Sequence, residues 1–562
     1  MDAANLNVTI KRVDALPLVK HYIEELGLPA LFEKYVPNTR GFEIPPSQVL
    51  CLLVANITMS AKPLYQVEDW LAGYMDGEAE LPFEASKYND DRIVRCLDEL
   101  FDSNRNSMQA ETAAMAIKVH NLECEYIHND TTTVTFSGAY DNPEAGAAVP
   151  AHGYNKDHRP DLKQVVFGLN TTADGHVPVG YHLYDGNQAD VTTHTPNWEG
   201  LRELLGKADF IYIADSKLCD MKTLALIAVN GGRFITIMPA NRKEVTDFMT
   251  RLRQGEAIEW EAGYDVEDSR KRGKVNRYRL YSGEQSREGY RIVWVHSSTK
   301  AEQEANRREK AIHKMEQELE ALSGKLNKYR LRTKEHIEKA VAGITKRACG
   351  AFLQVEIIEE SVTNEVQVGK GRPGPKTRYE TVTEIRFTLQ WRRDEEEILQ
   401  VARCDGIFPL TDNTGLEPAE VLKHYKDQPG LEKRHSNLKS VLEVAPVFLN
   451  KPSRIEAMMF LYFIALMIVT LIERNIRTRM QEQKVEKLSI LPSGLNTERP
   501  TWNNIRYFFN GIHLTVVTIT GDSIRTMVKG VTPLHQKVLH LLKIPILVYR
   551  RLKDGWWQFG VP

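Results

Sequence analysis

Three acidic residues lie where a fold could gather them into a catalytic centre. Asp130 lies in the β-branched segment 124–140, Asp215 directly follows the apolar run FIYIA, and Glu432 lies in a polar segment with helical spacing. An acid that ends a strand lies at the carboxyl edge of a sheet, where ligand sites of open α/β sheets collect. Carboxylates holding two Mg²⁺ ions could activate a water and stabilise the leaving oxygen during phosphodiester cleavage. Each Asp alone also suits a turn or a helix N-cap, so the prediction depends on the combination.

The residues around Glu432 leave two alternatives for the local structure. Tyr425, Gln428, Glu432 and Lys439 lie at offsets that share one face of a continuous helix. Pro429, however, fits only the first turn of a helix and disfavours the helical conformation in the residue before it. Tyr425 and Gln428 would then precede the helix, and only Glu432, His435 and Lys439 would share its face.

Composition limits the class of protein. The chain has 562 residues, enough for three or four domains, and 42% hydrophobic and 26% charged residues, as in ordinary folded proteins. Its net charge of −2 means that any nucleic-acid surface must be a local basic patch. The six cysteines form no CxxC pair, which argues against a zinc site or a disulfide framework. The N-terminus has no signal-peptide pattern, and the longest apolar run, 458–472, is too short to span a membrane, so we expect a buried core helix in a cytoplasmic protein.

Hydrophobic periodicity divides the chain into five predicted parts. Residues 1–120 form a helical N-terminal domain, and residues 121–240 alternate strands and helices as in a mixed α/β sheet. Within that part, strands are expected in 124–140, twice in 162–186, up to Asp215 and in 232–239. Residues 241–403 interrupt the core with hairpins and one long charged helix, 404–490 resume it, and 491–562 form a C-terminal subdomain.

Two features of the interrupting region have two interpretations each. The apolar residues of the long helix repeat at 3-4 spacing, which indicates either a short coiled-coil seam or a helix packed on its own domain. They are Ile312, Met315, Leu319, Leu322, Leu326 and Tyr329. The basic loop 368–378, with Arg372 at its centre, fits either an AT-rich minor groove of DNA or a solvated hairpin loop.

Seven segments of the chain carry a recognisable pattern. In chain order they are PLYQVEDWL, HNDTTTV, HGYNKDHRPDLKQVVFGL, DGNQAD, ADSKLCD, CDGIFPLTDN and YKDQPGLEKRHSNLKS. Together they resemble the DDE transposases of bacterial insertion sequences, and in particular the branch whose third acid lies in a Tyr-x2-Arg-x3-Glu-x6-Lys signature. The resemblance covers most of the chain, but Gln428 stands where the signature has Arg.

This resemblance implies a fold and a reaction. The fold would be a ribonuclease-H-like mixed sheet interrupted by a β-rich insertion with one long helix, after a helical N-terminal domain that binds DNA ends. The reaction would be Mg²⁺-dependent cleavage at terminal inverted repeats and transfer of the ends into double-stranded target DNA, with Mn²⁺ able to replace Mg²⁺. A bacterial cytoplasmic homodimer is expected, because two DNA ends must be held together.

The resemblance also assigns roles to single residues. Asp130, Asp215 and Glu432 would be the catalytic metal ligands, and Tyr425, Gln428 and Lys439 would contact DNA near the scissile phosphate. The segment 152–163 would bind phosphate through Arg159 and Lys163, unless it is a solvated connection.

Three other functions are weighed against the transposase. A ribonuclease-H-fold nuclease would cut DNA without joining it, and a transposase-derived DNA-binding protein would have lost the chemistry. The presence of all three acids argues against the second. A coiled-coil scaffold would leave the α/β core without explanation.

Overall fold

The computed structural model describes residues 6–75, 85–140, 143–156, 159–267, 273–347, 349–375, 377–444, 449–519, 522–550 and 552. The chain forms two compact units. Unit 1 comprises residues 1–236, 413–415 and 423–562, and unit 2 comprises residues 237–412 and 416–422.

Unit 1 contains a mixed sheet with the strand order β4-β3-β2-β5-β6. The strands are β2 (Tyr126–Phe136), β3 (Lys163–Thr172), β4 (Pro178–Tyr184), β5 (Ile211–Ala214) and β6 (Arg233–Ile237). The first three are antiparallel neighbours, whereas β2, β5 and β6 run parallel. Parallel neighbours need crossover connections, which α7 (His194–Leu205) and α8 (Met221–Val229) provide. The segments predicted as strands in this part of the chain are confirmed.

Unit 1 also contains α-helices, of which α13 has its first residues in unit 2. They are α1 (Leu16–Glu25), α2 (Leu28–Tyr35), α3 (Pro46–Met59), α4 (Val67–Met75), α5 (Asp90–Asp102), α6 (Arg105–His120), α13 (Pro418–Lys426), α14 (Pro429–Ser440), α15 (Pro452–Glu482), α16 (Trp502–Phe508), α17 (Pro533–Leu541) and α18 (Leu547–Arg550). The central one is α15, which packs against α3, α5 and β4. By length and composition α15 could cross a membrane, but 94% of its most apolar window is buried inside the protein. The predicted core helix is therefore confirmed.

A second, three-stranded sheet corrects the prediction for the N-terminus. Strand β1 (Leu6–Arg12) pairs antiparallel with β13 (His513–Ile519), which also pairs with β14 (Asp522–Lys529). The expectation of an all-helical N-terminal domain is therefore wrong for residues 6–12. Their hydrogen-bonding partner lies some five hundred residues away in the chain, where a local pattern does not reveal it.

Unit 2 is a separate α/β body. Its antiparallel sheet has the order β12-β9-β8-β7, and β10 and β11 form a two-stranded ribbon. The elements are α9 (Lys243–Arg253), β7 (Glu261–Glu267), β8 (Val275–Gln285), β9 (Arg291–Ser297), α10 (Ser298–Ser323), α11 (Lys334–Thr345), β10 (Leu353–Gln367), β11 (Tyr379–Arg393), α12 (Glu395–Ala402) and β12 (Ile407–Asp412). The hairpins predicted for this region are present as the antiparallel pairs β8–β9 and β10–β11.

The long helix α10 packs on its own unit. Its residues Ile312, Met315 and Leu319 are buried in a cluster with Phe352 and Leu353. The helix ends at Ser323, and Tyr329 beyond it is 92% exposed with a positive φ of 50°. The interpretation of these residues as a coiled-coil seam that reaches Tyr329 is therefore wrong, and the alternative, a helix packed on its own unit, is correct.

A buried ion pair joins α14 to α15. The Arg434 guanidinium donates to Glu473 Oε2 at 2.7 Å, and both side chains are less than 5% exposed. Arg477 and the backbone N–H of Trp502 also donate to the Glu473 carboxylate, at 3.2 and 3.0 Å. Burial alone would raise the pKa of Glu473, but the two guanidinium groups hold that pKa below its ordinary value.

We expect Glu473→Ala to destabilise the protein strongly. It leaves Arg434 buried without a counter-charge, and breaking a buried pair costs about 3–5 kcal/mol. The midpoint of urea unfolding, followed by tryptophan fluorescence, should fall. The control is Glu498→Ala, which removes an exposed partner of Lys487 and should cost less than about 1 kcal/mol. Equal midpoints for the two variants would contradict the structural role of the pair.

Candidate active site

Strand register brings two of the predicted acids to the same level. Strand β2 pairs with β5 in parallel, and His128 lies opposite Ile213. Asp130 lies two residues after His128 in β2, and Asp215 lies two residues after Ile213, directly past the end of β5. The continued register therefore sets the two acids level with each other at this edge of the sheet. Neighbouring strands are about 5 Å apart, which brings the two carboxylates into one locality.

Asp130 is partly buried and lies beside a lysine and a histidine. Its side chain is 22% exposed, with Lys156 Nζ 3.6 Å from Oδ1 and His435 Nδ1 3.6 Å from Oδ2. The Thr131 backbone N–H donates to Oδ1 at 2.8 Å. Burial alone would raise the pKa of Asp130, but His435, Lys156 and this N–H hold the pKa below its ordinary value. Asp130 is therefore a carboxylate at neutral pH.

Asp215 follows the last residue of β5. Its Oδ1 accepts a hydrogen bond from the Lys217 backbone N–H at 2.9 Å, so it does cap the short helical turn that follows. Its backbone carbonyl accepts a hydrogen bond from the Thr236 hydroxyl at 2.6 Å, which ties the end of β5 to β6. The N-cap role and the strand-edge position thus coincide in one residue.

The segment around Glu432 is not one continuous helix. Helix α13 ends at Lys426 and α14 begins at Pro429, so the interrupted alternative is observed. Gln428 nevertheless keeps helical angles, with φ −46° and ψ −37°, contrary to the expectation for a residue before proline. Glu432 lies exposed in the first turn of α14, and Lys439 lies in its last turn.

The phenol of Tyr425 lies near all three predicted acids. Burial and the negative charges of Asp215, Glu432 and Asp130, in that order, raise the pKa of Tyr425 above its ordinary value. A β-strand, a strand end and a helix therefore each bring a carboxylate within electrostatic range of the Tyr425 phenol. In the described part of the chain, no three His, Cys, Asp or Glu side chains lie close enough together to hold a metal ion as placed.

Gln428 fastens the start of α14 to strand β2. Its Nε2 donates to the Asn129 carbonyl at 3.0 Å, and its Oε1 lies 3.2 Å from His128 Nδ1. Both contacts are with the two residues that directly precede Asp130 in β2. The amide that stands in place of the signature arginine thus positions the helix, and its predicted contact with DNA stays a prediction.

Two histidines and an aspartate at the helix junction were missed in the sequence. Asp427 Oδ2 lies 3.3 Å from His176 Nε2 and 3.9 Å from His128 Nε2. Burial lowers the pKa of His128 to about 4, so this imidazole is neutral at pH 7. One signal was present: His128 and Asp130 are two residues apart on a strand and must share a face.

The opposite face of β2 is fixed by a buried amide network. Asn129 Nδ2 donates to Asn170 Oδ1 at 2.9 Å, and Asn170 and Asn197 exchange hydrogen bonds of 2.6 and 2.8 Å. Asn197 also donates to the Tyr212 hydroxyl at 2.8 Å. The network joins β2, β3, α7 and β5, so it holds the strands that carry Asp130 and Asp215.

The remaining residues predicted to contact DNA are spread over the chain. Arg159 forms two hydrogen bonds with Asp161, at 2.7 and 2.8 Å, and the Lys163 ammonium donates to the Ala139 carbonyl. From the same polar segment it is Lys156 that reaches Asp130. Arg372 is exposed in the loop between β10 and β11 of unit 2.

Comparisons with known proteins add little. A family model described as a domain of unknown function, DUF4277, matches residues 8–114. No curated protein matches the chain significantly. Among solved structures, a cryo-EM structure of a piggyBac transposase synaptic complex with hairpin DNA is similar at a TM-score of 0.35 and 8% identity, covering 89% of this chain and 82% of that chain. A likeness this weak shows neither the fold nor the activity of this chain.

Gly430 allows the second residue of α14 to approach His176. A Cβ atom at position 430 would lie 1.9 Å from His176 Nε2, well inside any normal contact. We expect Gly430→Ala to displace His176 from Asp427 or to shift the start of α14, and therefore to lower the thermal unfolding midpoint.

The matched control is Gly343→Ala in α11, where an added Cβ meets no atom within 4 Å. That variant should keep or raise the midpoint, since alanine exceeds glycine in helix propensity by about 1 kcal/mol. If calorimetry gives the same thermal unfolding midpoint for both variants, the close approach at Gly430 does not contribute to stability.

Proposed function

We propose that this chain is a DDE-type DNA transposase. The observation that carries the proposal is the parallel register of β2 and β5, which sets Asp130 beside Asp215, with Glu432 near the same phenol. Three antiparallel strands continued by two parallel ones support a ribonuclease-H-like core. Unit 2 would be the insertion that interrupts this core, and the N-terminal helices would bind DNA ends.

The donor set fits a hard divalent cation. Carboxylate oxygens are the ligands that Mg²⁺ prefers, and Asp130, Asp215 and Glu432 would hold it, with Mn²⁺ as a substitute. Once bound, the metal would supply water activation and stabilisation of the leaving oxygen. The chain's own part is to keep Asp130 ionised through His435 and Lys156, and to hold α14 against the sheet through Gln428.

The proposed substrate is double-stranded DNA. The chain would bind the terminal inverted repeats of its own element as a homodimer, cleave there and join the ends to target DNA. Phosphate contacts would come from Lys439, Arg159, Lys163 and Arg372, with Tyr425 and Gln428 near the scissile phosphate. A net charge of −2 requires such contacts to be local.

A DNA-binding protein without cleavage is the second candidate. It is favoured by one observation, the neutral Gln428 where the signature has arginine. A nuclease that cuts without joining differs from the transposase only in the last step. Both alternatives are separated from the first by the products formed on DNA.

We expect Glu432→Gln to bind a labelled duplex of the element's end normally but to cleave it at least about 100-fold more slowly than the wild type, because it loses an anionic metal ligand. Cleavage by the wild type should stop with EDTA and return with Mg²⁺ or Mn²⁺. The control is Glu420→Gln, an exposed carboxylate on α13, which should leave the rate unchanged.

The products of the same assay separate the candidates. Cleavage followed by joining to a plasmid supports the transposase, and cleavage without joining supports a nuclease. If the wild type and both variants bind and none cleaves with either metal, the protein is a DNA-binding derivative and the catalytic assignment is wrong.

We expect Lys439→Ala to weaken binding to the same duplex and to reduce the slope of log affinity against log salt by about one. Lys433→Ala removes the same charge from a position about 120° away around α14 and should have the smaller effect. Fluorescence anisotropy over a salt series measures both. Identical losses would show that net charge matters and that the face of α14 does not.

A further inference from the structure

Lys156 places its ammonium group directly at the candidate site. Its Nζ lies 3.6 Å from Oδ1 of Asp130, and it donates hydrogen bonds to the Thr131 carbonyl and, at 3.0 Å, to the Thr131 hydroxyl. Both acceptor residues lie in strand β2. A lysine therefore lies beside a carboxylate that the proposed function assigns to a metal ion.

The backbone that carries Lys156 is fixed to strand β3. Ala151 and Gln164 exchange two backbone hydrogen bonds of 3.0 Å. The Gln164 side chain is buried, its Nε2 donates to the Tyr154 carbonyl at 3.2 Å, and its Oε1 accepts from Asn155 Nδ2 at 2.8 Å. The two residues directly before Lys156 are therefore held in place. The chain brings this lysine to Asp130 from an anchored backbone.

The two side chains beside the Asp130 carboxylate differ in their freedom to move. His435 faces Oδ2 at 3.6 Å, but its side chain is only 9% exposed and belongs to helix α14. The Lys156 side chain is 36% exposed, and its ammonium ends a flexible stem of four carbon atoms. The ammonium of Lys156 can therefore swing away from Asp130 while its backbone stays fixed, whereas the imidazole of His435 cannot.

The Lys156 ammonium and a divalent cation would compete for the same carboxylate oxygen. A metal ion bound to Oδ1 of Asp130 would lie about 2.1 Å from that oxygen. Because Nζ is 3.6 Å from the same oxygen, the two cations would be at most about 6 Å apart and would repel each other. The Thr131 oxygens that also accept from Nζ carry no net charge, so they compensate little of this repulsion. Lys156 would therefore leave Asp130 when a metal ion binds there.

We propose that Lys156 changes partner during the reaction. Its ammonium pairs with Asp130 until a divalent cation binds to that carboxylate, and it then donates to a non-bridging oxygen of the scissile phosphate. The phosphate is the anion that DNA would bring to this edge of the sheet, and lysine binds phosphate as a point charge without a fixed geometry. The contact would offset the negative charge that develops on the phosphate during cleavage. This inference rests on the proposed function and adds a substrate contact to its three carboxylates.

The first test is metal binding by the full-length chain without DNA, measured as the loss of the free Mn²⁺ signal in electron paramagnetic resonance. Binding that disappears in Asp130→Asn identifies the site. We expect Lys156→Met to bind Mn²⁺ there about two- to fivefold more tightly than the wild type, because it removes a competitor worth about as much as a partly exposed ion pair. The matched control is Lys207→Met, which removes a lysine 3.7 Å from Asp209 in the segment before β5 and should bind Mn²⁺ like the wild type.

The second test is cleavage of the labelled duplex of the element's end at saturating Mg²⁺. We expect Lys156→Met to cleave at least about tenfold more slowly than the wild type, because it loses the phosphate contact, and Lys156→Arg to recover part of the rate. A residue that only supports the fold would weaken metal binding and cleavage together, and not change them in opposite directions.

The outcomes separate this inference from the proposed function. If the wild type binds Mn²⁺ and cleaves, but Lys156→Met binds Mn²⁺ no more tightly or cleaves as fast, the change of partner is wrong and the transposase proposal stands. If the wild type does not cleave with either metal, the proposed function and this inference fail together.

Discussion

Helix α14 can bring Glu432 near the strand acids only because its first turn is fastened to β2. The contacts are local and polar. The Gln428 amide donates to the Asn129 carbonyl and contacts the His128 imidazole, both in β2, and Asp427 contacts the His176 imidazole. Proline at the first helical position costs no hydrogen bond there, so the chain can turn at the junction and restart the helix at once. In one continuous helix, Tyr425 and Glu432 would be spaced along a single helix axis. With the break, the phenol and Glu432 approach the same two strands from separate helices.

Charged groups are paired differently on the two sides of α14. On its buried side Arg434 is paired with Glu473, so the cost of burying each charge is offset by the other. On the side of the site, Glu432 lies exposed in the first turn of α14, and His435 of the same helix contacts Asp130 of β2, which also contacts Lys156. Like charges resist close approach, so under the proposed function a divalent cation would offset the repulsion among the three carboxylates.

Sequence patterns predicted the elements of the core well, because strand alternation and helix periodicity are local properties. The strands carrying Asp130 and Asp215, and the core helix α15, all follow from such patterns. Pro429 also raised the alternative that α14 starts there. Strand register and long-range pairing did not follow, since β1 meets a strand from the other end of the chain and Asn129 meets amides from β3 and α7. The contacts of His176 depend on Gly430, which is distant in the chain, and no spacing in the sequence indicates that approach.

The net charge of the chain is close to zero, but its charged residues are clustered locally in several places. Within the site, His435 and Lys156 hold the pKa of Asp130 below its ordinary value; within the α14–α15 contact, two guanidinium groups share one glutamate. In the β10–β11 ribbon, the loop 368–378 has four basic residues and no acidic one, and the strands beside it are rich in glutamate. Electrostatic energy falls with distance and is screened within about 10 Å, so these local patterns act independently of the total. A net charge near zero is therefore compatible with a local surface that binds phosphate.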